Sequence, residues 1–392
     1  MSPRLNSLSI VDNNLLSKLT IILFAKGRKP FIIRQINLWA NFPVNLVIID
    51  NSDVPFSSEE LSLMPSNVKY FHENTYFESF LRASSVLSTE YALIANDDDV
   101  YLASGIVACI TYLERNKNVI SCIGQALSFY FMFNHILFDF VYSSLRDYSN
   151  LSDNVLERIK RKTNPYSTAC FYAVHRSINL SVNLRTTIQS SQDLNAYCPP
   201  ELEELAFEIT TSIQGKSASV KNLMWLRSFR ENQPLWKPPE KGFLHWLNSN
   251  QNSDFMNKWL RYYSTKLSEL TSMNSMTISN LLLEGLKSYS QNLSLTEKVT
   301  RESKKILILL LKFKKNIMRI ISINSNIEKL TRSIVYYLRY TLTLKNISNF
   351  PYNTFSEKYL TDKLQSNNIY VDMSDFQITG KFLLDPKSKI LN

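Results

Sequence analysis

The sequence predicts an α/β fold built on an open, mainly parallel sheet with flanking helices, followed by a helical, basic C-terminal region. Over the first hundred residues, β-rich apolar runs alternate with segments of helical periodicity. Polar and acidic residues stand directly after several of these runs. Beyond about residue 250 the pattern changes to helical periodicity. We therefore expect two units, a catalytic domain over residues 1–250 and a mainly helical region over 251–392.

The predicted strands cover residues 19–25, 45–49, 68–71 and 91–95, all of them apolar or β-branched runs. A basic loop at 26–29 follows the first strand, and Pro30 suits the first turn of a helix. A second helix is expected after residue 75 and a third after residue 100. Because this order predicts parallel strands, ligands are expected beyond the carboxyl ends of those strands.

Composition excludes several classes of protein. The chain has 392 residues and a net charge of +10, and its seven glycines stand singly. Neither the G-x-G-x-x-G fingerprint nor a Walker-type phosphate loop is present, so a Rossmann dehydrogenase and a P-loop nucleotidase are excluded. The four cysteines form no C-x-x-C pair, no signal-peptide pattern is visible, and the strongest apolar run has six residues. These features indicate a cytoplasmic protein, at most associated with the inner face of the cell membrane.

The acidic run Asp97-Asp98-Asp99 follows the fourth predicted strand directly. Three adjacent carboxylates repel one another, and a bound cation offsets that repulsion. In an extended stretch Asp97 and Asp99 point to the same side, where they could hold Mg²⁺ or Mn²⁺ against a diphosphate. The alternative is a solvated acidic turn, which the position after a buried strand disfavours.

Three segments together resemble a known family: residues 20–24 (TIILF), 48–52 (IIDNS) and 93–99 (LIANDDD). They are similar to the nucleotide-binding half of GT-A-fold glycosyltransferases, especially bacterial surface-polysaccharide enzymes related to family 2. The resemblance covers about residues 18–245. The aromatic-Asn-Arg usual after the first strand is replaced here by Ala25-Lys26-Gly27-Arg28.

The resemblance implies transfer of a sugar from a nucleotide diphosphate sugar, with inversion at the anomeric carbon. It places Asp50 and Asn51 against the base or ribose. Asp97 and Asp99 would hold the metal and the diphosphate, Asp98 would contact the nucleotide sugar, and Arg28 would be a cation near the phosphates.

A second motif, residues 199–204 (PPELEE), opens an amphipathic helix that ends at Gly215. The spacing resembles the Glu-Asp motif of family 2 enzymes, in which an acid deprotonates the acceptor hydroxyl. By that resemblance the candidate base is Glu204, with Glu203 as the second candidate. The alternative is that both acids merely complement the helix dipole.

Two further residues are weaker candidates. Arg230 follows a probable strand and could bind a phosphate or an anionic acceptor, although a solvated loop arginine is the commoner case. His245 lies where some metal-dependent GT-A enzymes place a metal-binding histidine, although a histidine beside Trp246 is more often structural.

The C-terminal region carries most of the excess charge, since residues 301–345 hold eleven basic and two acidic residues. Basic and apolar residues interleave there as in a helix that lies on an anionic membrane. The alternative is a helical appendage with solvated lysines. Residues 346–392 show weak strand or loop character.

The predicted function is therefore metal-dependent transfer of a sugar to a cell-surface glycan or lipid-linked acceptor. Two alternatives remain open. A non-catalytic nucleic-acid binder would use the basic C-terminal segment, although no recognised nucleic-acid-binding module is present. A metal-dependent nucleotidyltransferase could use Asp97 and Asp99, although its nucleotide loop would normally be rich in glycine.

Overall fold

The computed structural model describes residues 12–132, 135–163, 169–194, 200–228, 249, 252–288, 350–351 and 364–384. The strands are β1 Leu19–Ala25, β2 Asn45–Asp50, β3 Val68–His72, β4 Tyr91–Asn96, β5 Val100–Tyr101, β6 Val119–Met132, β7 His135–Phe140, β8 Ser149–Asn150, β9 Val174–Arg176, β10 Lys216–Ser228 and β11 Phe350–Pro351. The helices are α1 Asn13–Leu16, α2 Lys29–Trp39, α3 Ser58–Ser62, α4 Tyr76–Ser85, α5 Ala103–Arg115, α6 Val155–Thr163, α7 Ser177–Leu194, α8 Pro200–Gln214, α9 Ser253–Thr271, α10 over 275–288 and α11 Met373–Leu384.

The described strands form one mixed sheet, with neighbours in the order β11, β7, β6, β9, β4, β1, β2, β3. Strands β3, β2, β1 and β4 are mutually parallel, as the sequence predicts. Strand β9 then pairs antiparallel with both β4 and β6. Strand β10 runs parallel to β6 and also pairs with β5 and β8. The α/β class is confirmed, and the antiparallel pairs make the sheet mixed outside its first four strands.

Strands β1, β2 and β4 of the parallel half are buried on both faces, which explains their continuous apolar runs, whereas the edge strand β3 is partly exposed. Alternate residues of β1 enter different cores, since Ile21 packs with Ile32 of α2 whereas Ile22 packs with Phe80 of α4. Three of the cysteines, Cys109, Cys122 and Cys170, are buried free thiols as expected. Cys198 lies outside the described residues.

The end of the chain returns to the sheet. Tyr370 exchanges backbone hydrogen bonds with β10, since its carbonyl accepts from Leu223 N at 2.7 Å and its amide donates to Lys221 O at 2.8 Å. Helix α11 packs Phe376 against Phe138 of β7, with ring centroids 5.1 Å apart. The weak strand or loop pattern expected over 346–392 therefore differs from the structure, because the helix at its end depends on this packing. Residues 301–345 lie outside the described residues.

Within the described ranges, no helix is both long and apolar enough to cross a bilayer.

Candidate active site

The carboxyl ends of β1, β2 and β4 lie side by side. Ala25 of β1 pairs with Asp50 of β2, and Phe24 of β1 pairs with Asn96 of β4. The loop that carries Arg28 leaves the end of β1 at the same edge. The first helical turns of α2 and the polar residues after β2 and β4 therefore meet there, as the parallel order predicts.

Asp97 and Asp98 converge on one positive charge. Arg28 Nη1 donates to Asp97 Oδ1 at 2.5 Å and lies 3.5 Å from Asp98 Oδ2. Asp97 is only 3% exposed, and its Oδ2 atom is buried without a hydrogen-bond partner among the described residues. Burial raises the pKa of Asp97 to about 7, although Arg28 acts in the opposite direction. Asp97 and Asp98 thus form an electronegative site whose charge is offset by the Arg28 guanidinium.

Helix α2 holds the backbone of the acidic run. Arg34 Nη2 donates to Asp98 O at 2.6 Å, and Gln35 Nε2 donates to Asp97 O at 3.0 Å and to Asp99 O at 2.5 Å. Both side chains are almost completely buried. Sequence reasoning missed these two residues, although polar residues on the apolar face of a helix were a visible signal.

Asp99 is held by three N–H donors. Its Oδ2 accepts from Trp225 Nε1 at 2.8 Å and from Asn96 Nδ2 at 3.1 Å, and its Oδ1 accepts from Ser228 N at 2.8 Å. Burial and the neighbouring charge of Asp98 raise the pKa of Asp99 to about 7, and these hydrogen bonds partly counteract the rise. Both carboxylate oxygens of Asp99 thus already accept hydrogen bonds, and its predicted role as a metal ligand with Asp97 stays a prediction.

A divalent cation fits this site. Carboxylate oxygens are the ligands that Mg²⁺ and Mn²⁺ prefer, and Asp97 Oδ2 is a buried oxygen that lacks a donor. No group of three or more histidines, cysteines or acids arranged to hold a metal occurs within the described ranges. The remaining ligands would thus be diphosphate oxygens and water, which is the usual coordination of Mg²⁺ in nucleotide sites.

Asp50 is 1% exposed, and both of its oxygens are hydrogen-bonded. Ser52 donates to Oδ1 from its amide at 2.9 Å and from its hydroxyl, and Tyr70 OH donates to Oδ2 at 2.7 Å. Ser52 also accepts from Gly27 N at 2.6 Å, where the backbone of Gly27 is left-handed with φ of 64°. Asp50 therefore orders the loop between β1 and α2, and its predicted contact with a base or ribose stays a prediction.

Asn51 ties the end of β2 to the loop before α4. Its Nδ2 donates to Glu73 O at 2.8 Å and to Thr75 O at 3.0 Å, and its Oδ1 accepts from Ser79 Oγ at 2.7 Å. The side chain of Asn51 thus has a structural part in this edge of the sheet, and its predicted contact with the nucleotide stays a prediction.

The two glutamates at the start of α8 differ in their surroundings. Glu203 is 7% exposed and accepts from Tyr76 OH at 2.9 Å. Glu204 is half-buried. Burial raises the pKa of Tyr172, and the charges of Glu204 and Asp99 raise it further. Burial likewise raises the pKa of Tyr142 to about 12, with Glu204 and Asp99 again contributing. Glu204 and Asp99 therefore face the same two tyrosines.

Three aromatic rings lie together beside Asp99, and we call Tyr142, Tyr172 and Trp225 the aromatic group. The Trp225 ring stacks on Tyr142 at 5.1 Å and lies 4.7 Å from Tyr172. Arg227 lies over the Tyr142 ring and donates to its hydroxyl. Tyr142 has φ of 51°, a left-handed conformation that is costly for a bulky residue and is often found at functional sites.

Two predicted site residues, Arg230 and His245, lie outside the described residues. The structure brings together Arg28, Asp97, Asp98 and Asp99, and places Asp50 and Asn51 at the same edge of the sheet. Glu204 acts on the pKa values of Tyr142 and Tyr172 in the aromatic group, and Glu203 precedes it on α8.

Neither a family model nor a curated protein matches the sequence. Among solved structures, the fold is similar to that of S. aureus TarS residues 1–349, with a TM-score of 0.43 and 12% identity over 69% of this chain and 71% of that chain. A longer TarS chain gives a TM-score of 0.44 and 12% identity over 69% of this chain and 43% of that chain. TarS is a GT-A-type glycosyltransferase. At this TM-score and identity the likeness carries no conclusion about family or activity.

Proposed function

We propose that the chain is a metal-dependent glycosyltransferase that moves a sugar from a nucleotide diphosphate sugar to a hydroxyl of a cell-surface glycan or lipid-linked acceptor. One observation carries the proposal: Arg28 joins Asp97 and Asp98 at the carboxyl edge of the parallel strands. Glu204, at the start of α8, supplies a separate carboxylate whose charge, like that of Asp99, raises the pKa of Tyr172. A site for a diphosphate and a separate carboxylate are the two parts that sugar transfer needs.

The donor side would use Asp97 and Asp98 with Mg²⁺ or Mn²⁺, which offsets the charge that develops on the departing diphosphate. The Arg28 side chain is 16% exposed and lies at the mouth of this site. With a diphosphate bound, the Arg28 guanidinium would bind a phosphate oxygen, for which its planar donor fork is well suited. Arg34 and Gln35 of helix α2 hold the backbone carbonyls of Asp98 and Asp97 in place. The carboxylates of Asp97 and Asp98 therefore need not rearrange.

The acceptor side would use Glu204 as the general base. The acceptor oxygen forms a bond to the anomeric carbon, the bond from that carbon to the diphosphate oxygen breaks, and its electron pair leaves with the diphosphate. The hydroxyl proton passes to the Glu204 carboxylate. Glu203 is the weaker candidate because Tyr76 already donates to its carboxylate. Attack from the side opposite the diphosphate would invert the anomeric configuration, as the family resemblance implies.

The test is a panel of nucleotide sugars with Mn²⁺ or Mg²⁺ and a mixture of glycan and lipid-linked acceptors. Glu204→Gln should lower kcat by about a hundredfold or more and leave nucleoside diphosphate binding within about twofold, because it removes only the proton acceptor. Glu203→Gln is the matched control and should keep most of the activity.

Two results would contradict the proposal. The first is the absence of saturable binding of any nucleoside diphosphate in the presence of Mn²⁺. The second is transfer that Glu203→Gln abolishes and Glu204→Gln leaves intact, which would reverse the assignment of the base. Tight binding of oligonucleotides by the same preparation would favour the nucleic-acid alternative. Membrane contact through residues 301–345 stays a prediction.

A further inference from the structure

A completely buried ion pair lies beneath the aromatic group and has no part in the proposed chemistry. Lys162 of α6 and Glu208 of α8 are both 0% exposed in their side chains and form a salt bridge. Taking two charges out of water is costly, and replacement by apolar residues is often neutral or stabilising. A buried pair therefore calls for a role other than stability alone.

The Glu208 carboxylate anchors a tight turn. Its Oε1 accepts from Cys170 N at 2.8 Å and from Phe171 N at 3.0 Å, and its Oε2 accepts from Cys170 N at 3.1 Å. The turn closes where Ala173 N donates to Cys170 O at 3.0 Å, immediately before β9. A charged acceptor that binds two successive amides fixes the direction of the turn more firmly than a neutral acceptor.

Lys162 completes the anchor. Its ammonium donates to Cys170 Sγ at 3.4 Å and to Tyr148 OH at 3.3 Å, so it binds the turn from the other side. Burial alone would lower the pKa of Lys162, but its interactions with Cys170 and Glu208 raise that pKa above its ordinary value. The ammonium thus stays charged at neutral pH.

The turn carries Tyr172 into the candidate active site. Tyr172 OH accepts from Asn96 Nδ2 at 3.2 Å, and its ring lies 4.7 Å from that of Trp225. Asn96 and Trp225 are also two of the donors to Asp99. Glu204 precedes Glu208 by one helical turn, so α8 presents both carboxylates on one face.

We infer that the Lys162–Glu208 pair is a positioning device of the active site, which holds Tyr172 at a fixed place between Asp99 and Glu204. The inference rests on the proposed function. Because both glutamates project from α8, any shift of the turn changes the position of Tyr172 relative to the base. A misplacement of about 1 Å at a reacting centre can lower the rate by about a hundredfold.

The experiment compares Glu208→Gln, the double variant Lys162→Met with Glu208→Gln, and Thr211→Val. Glutamine keeps the size of Glu208 and loses its charge, and the double variant removes both charges. Thr211 is the matched control, because it is also buried on α8 and accepts from Asn183 Nδ2 at 2.6 Å, away from the turn. Both Glu208 variants should lower kcat by at least about tenfold with the donor KM within about twofold, whereas Thr211→Val should keep the wild-type kcat.

Two further measurements separate positioning from simple stabilisation. Amide hydrogen exchange at residues 170 and 171 should be faster in Glu208→Gln and unchanged in Thr211→Val, with no donor present. In a Tyr172→Ala background, Glu208→Gln should lower kcat by no more than about twofold, because residues that act through one partner are not additive. If the double variant fails to fold, Glu208→Asp replaces it, since it keeps the charge and shortens the reach by one methylene.

The inference is overturned if Glu208→Gln keeps the kcat of Thr211→Val, or if exchange at residues 170 and 171 is unchanged. It is also overturned if Glu208→Gln lowers kcat equally with and without Tyr172. A wild-type chain that binds no nucleotide sugar and transfers none would contradict the proposed function instead, and hydrogen exchange would then decide by itself whether the pair orders the turn.

Discussion

Replacing Asp97 with asparagine should remove much of the dependence of stability on pH. Burial raises the pKa of Asp97 from 3.8 to about 7. A carboxyl group whose pKa is higher in the folded than in the unfolded protein contributes stability below the unfolded value, and this contribution is lost as the pH rises through the folded value. At about 1.4 kcal/mol per pH unit, the rise from pH 5 to pH 7 lowers the free energy of unfolding by about 3 kcal/mol.

The measurement is urea-induced unfolding at pH 5 and pH 8 in the presence of a chelator. Between pH 5 and pH 8, the free energy of unfolding of the wild type should fall by about 3 kcal/mol more than that of Asp97→Asn. Asp53→Asn, which removes an exposed carboxylate after β2, is the control and should show the wild-type difference. Loss of the Arg28 ion pair shifts the stability of Asp97→Asn at both pH values, so the comparison uses the difference between them. An equal pH dependence in the wild type and Asp97→Asn would refute the reasoning.

Two other substitutions test neighbouring parts of the site. Arg28→Gln should tighten Mn²⁺ binding in the absence of nucleotide by about fivefold, because it removes a competing partly exposed cation, and should weaken binding of a nucleoside diphosphate with Mn²⁺. Electron paramagnetic resonance of free Mn²⁺ measures the first effect, and unchanged or weaker Mn²⁺ binding would contradict it. Trp225→Phe should lower the free energy of unfolding at pH 8 by about 2 to 4 kcal/mol, because the ionised Asp99 loses its N–H donor at 2.8 Å. The loss should be smaller at pH 5, where Asp99 is protonated, and an equal loss at both pH values would show that only packing is affected.

The parallel half of the fold could be predicted from the sequence because three of its four strands, β1, β2 and β4, are buried on both faces. The predicted strand over residues 19–25 has the bounds of β1, and the acidic run stands at the end of β4 as expected. The antiparallel half could not be derived, since β9 has three residues and its place between β4 and β6 depends on pairing distant in sequence. Helix α11 was missed for a similar reason, because it forms against β7.

The sequence indicated which residues belong to the candidate site, but not most of the contacts that they make. The pattern D-x-D named Asp97 and Asp99 as a pair, since alternate residues of an extended stretch face one side. In the structure Trp225 and Ser228 of β10 engage Asp99, and no local pattern reveals that a strand more than a hundred residues later reaches it. The left-handed conformation of Tyr142 and the anchoring of Tyr172 by Glu208 are likewise products of tertiary packing.

The most direct test of the account is calorimetric titration of a nucleoside diphosphate with Mn²⁺ into the wild type and Asp98→Asn. The Asp98 side chain is 20% exposed and lies 3.5 Å from Arg28, so its substitution should leave the fold intact. If Asp97 and Asp98 together hold a cation against a diphosphate, Asp98→Asn should weaken binding by about tenfold or more, and Asp53→Asn should bind as the wild type does. Equal binding by the wild type and Asp98→Asn would contradict the account.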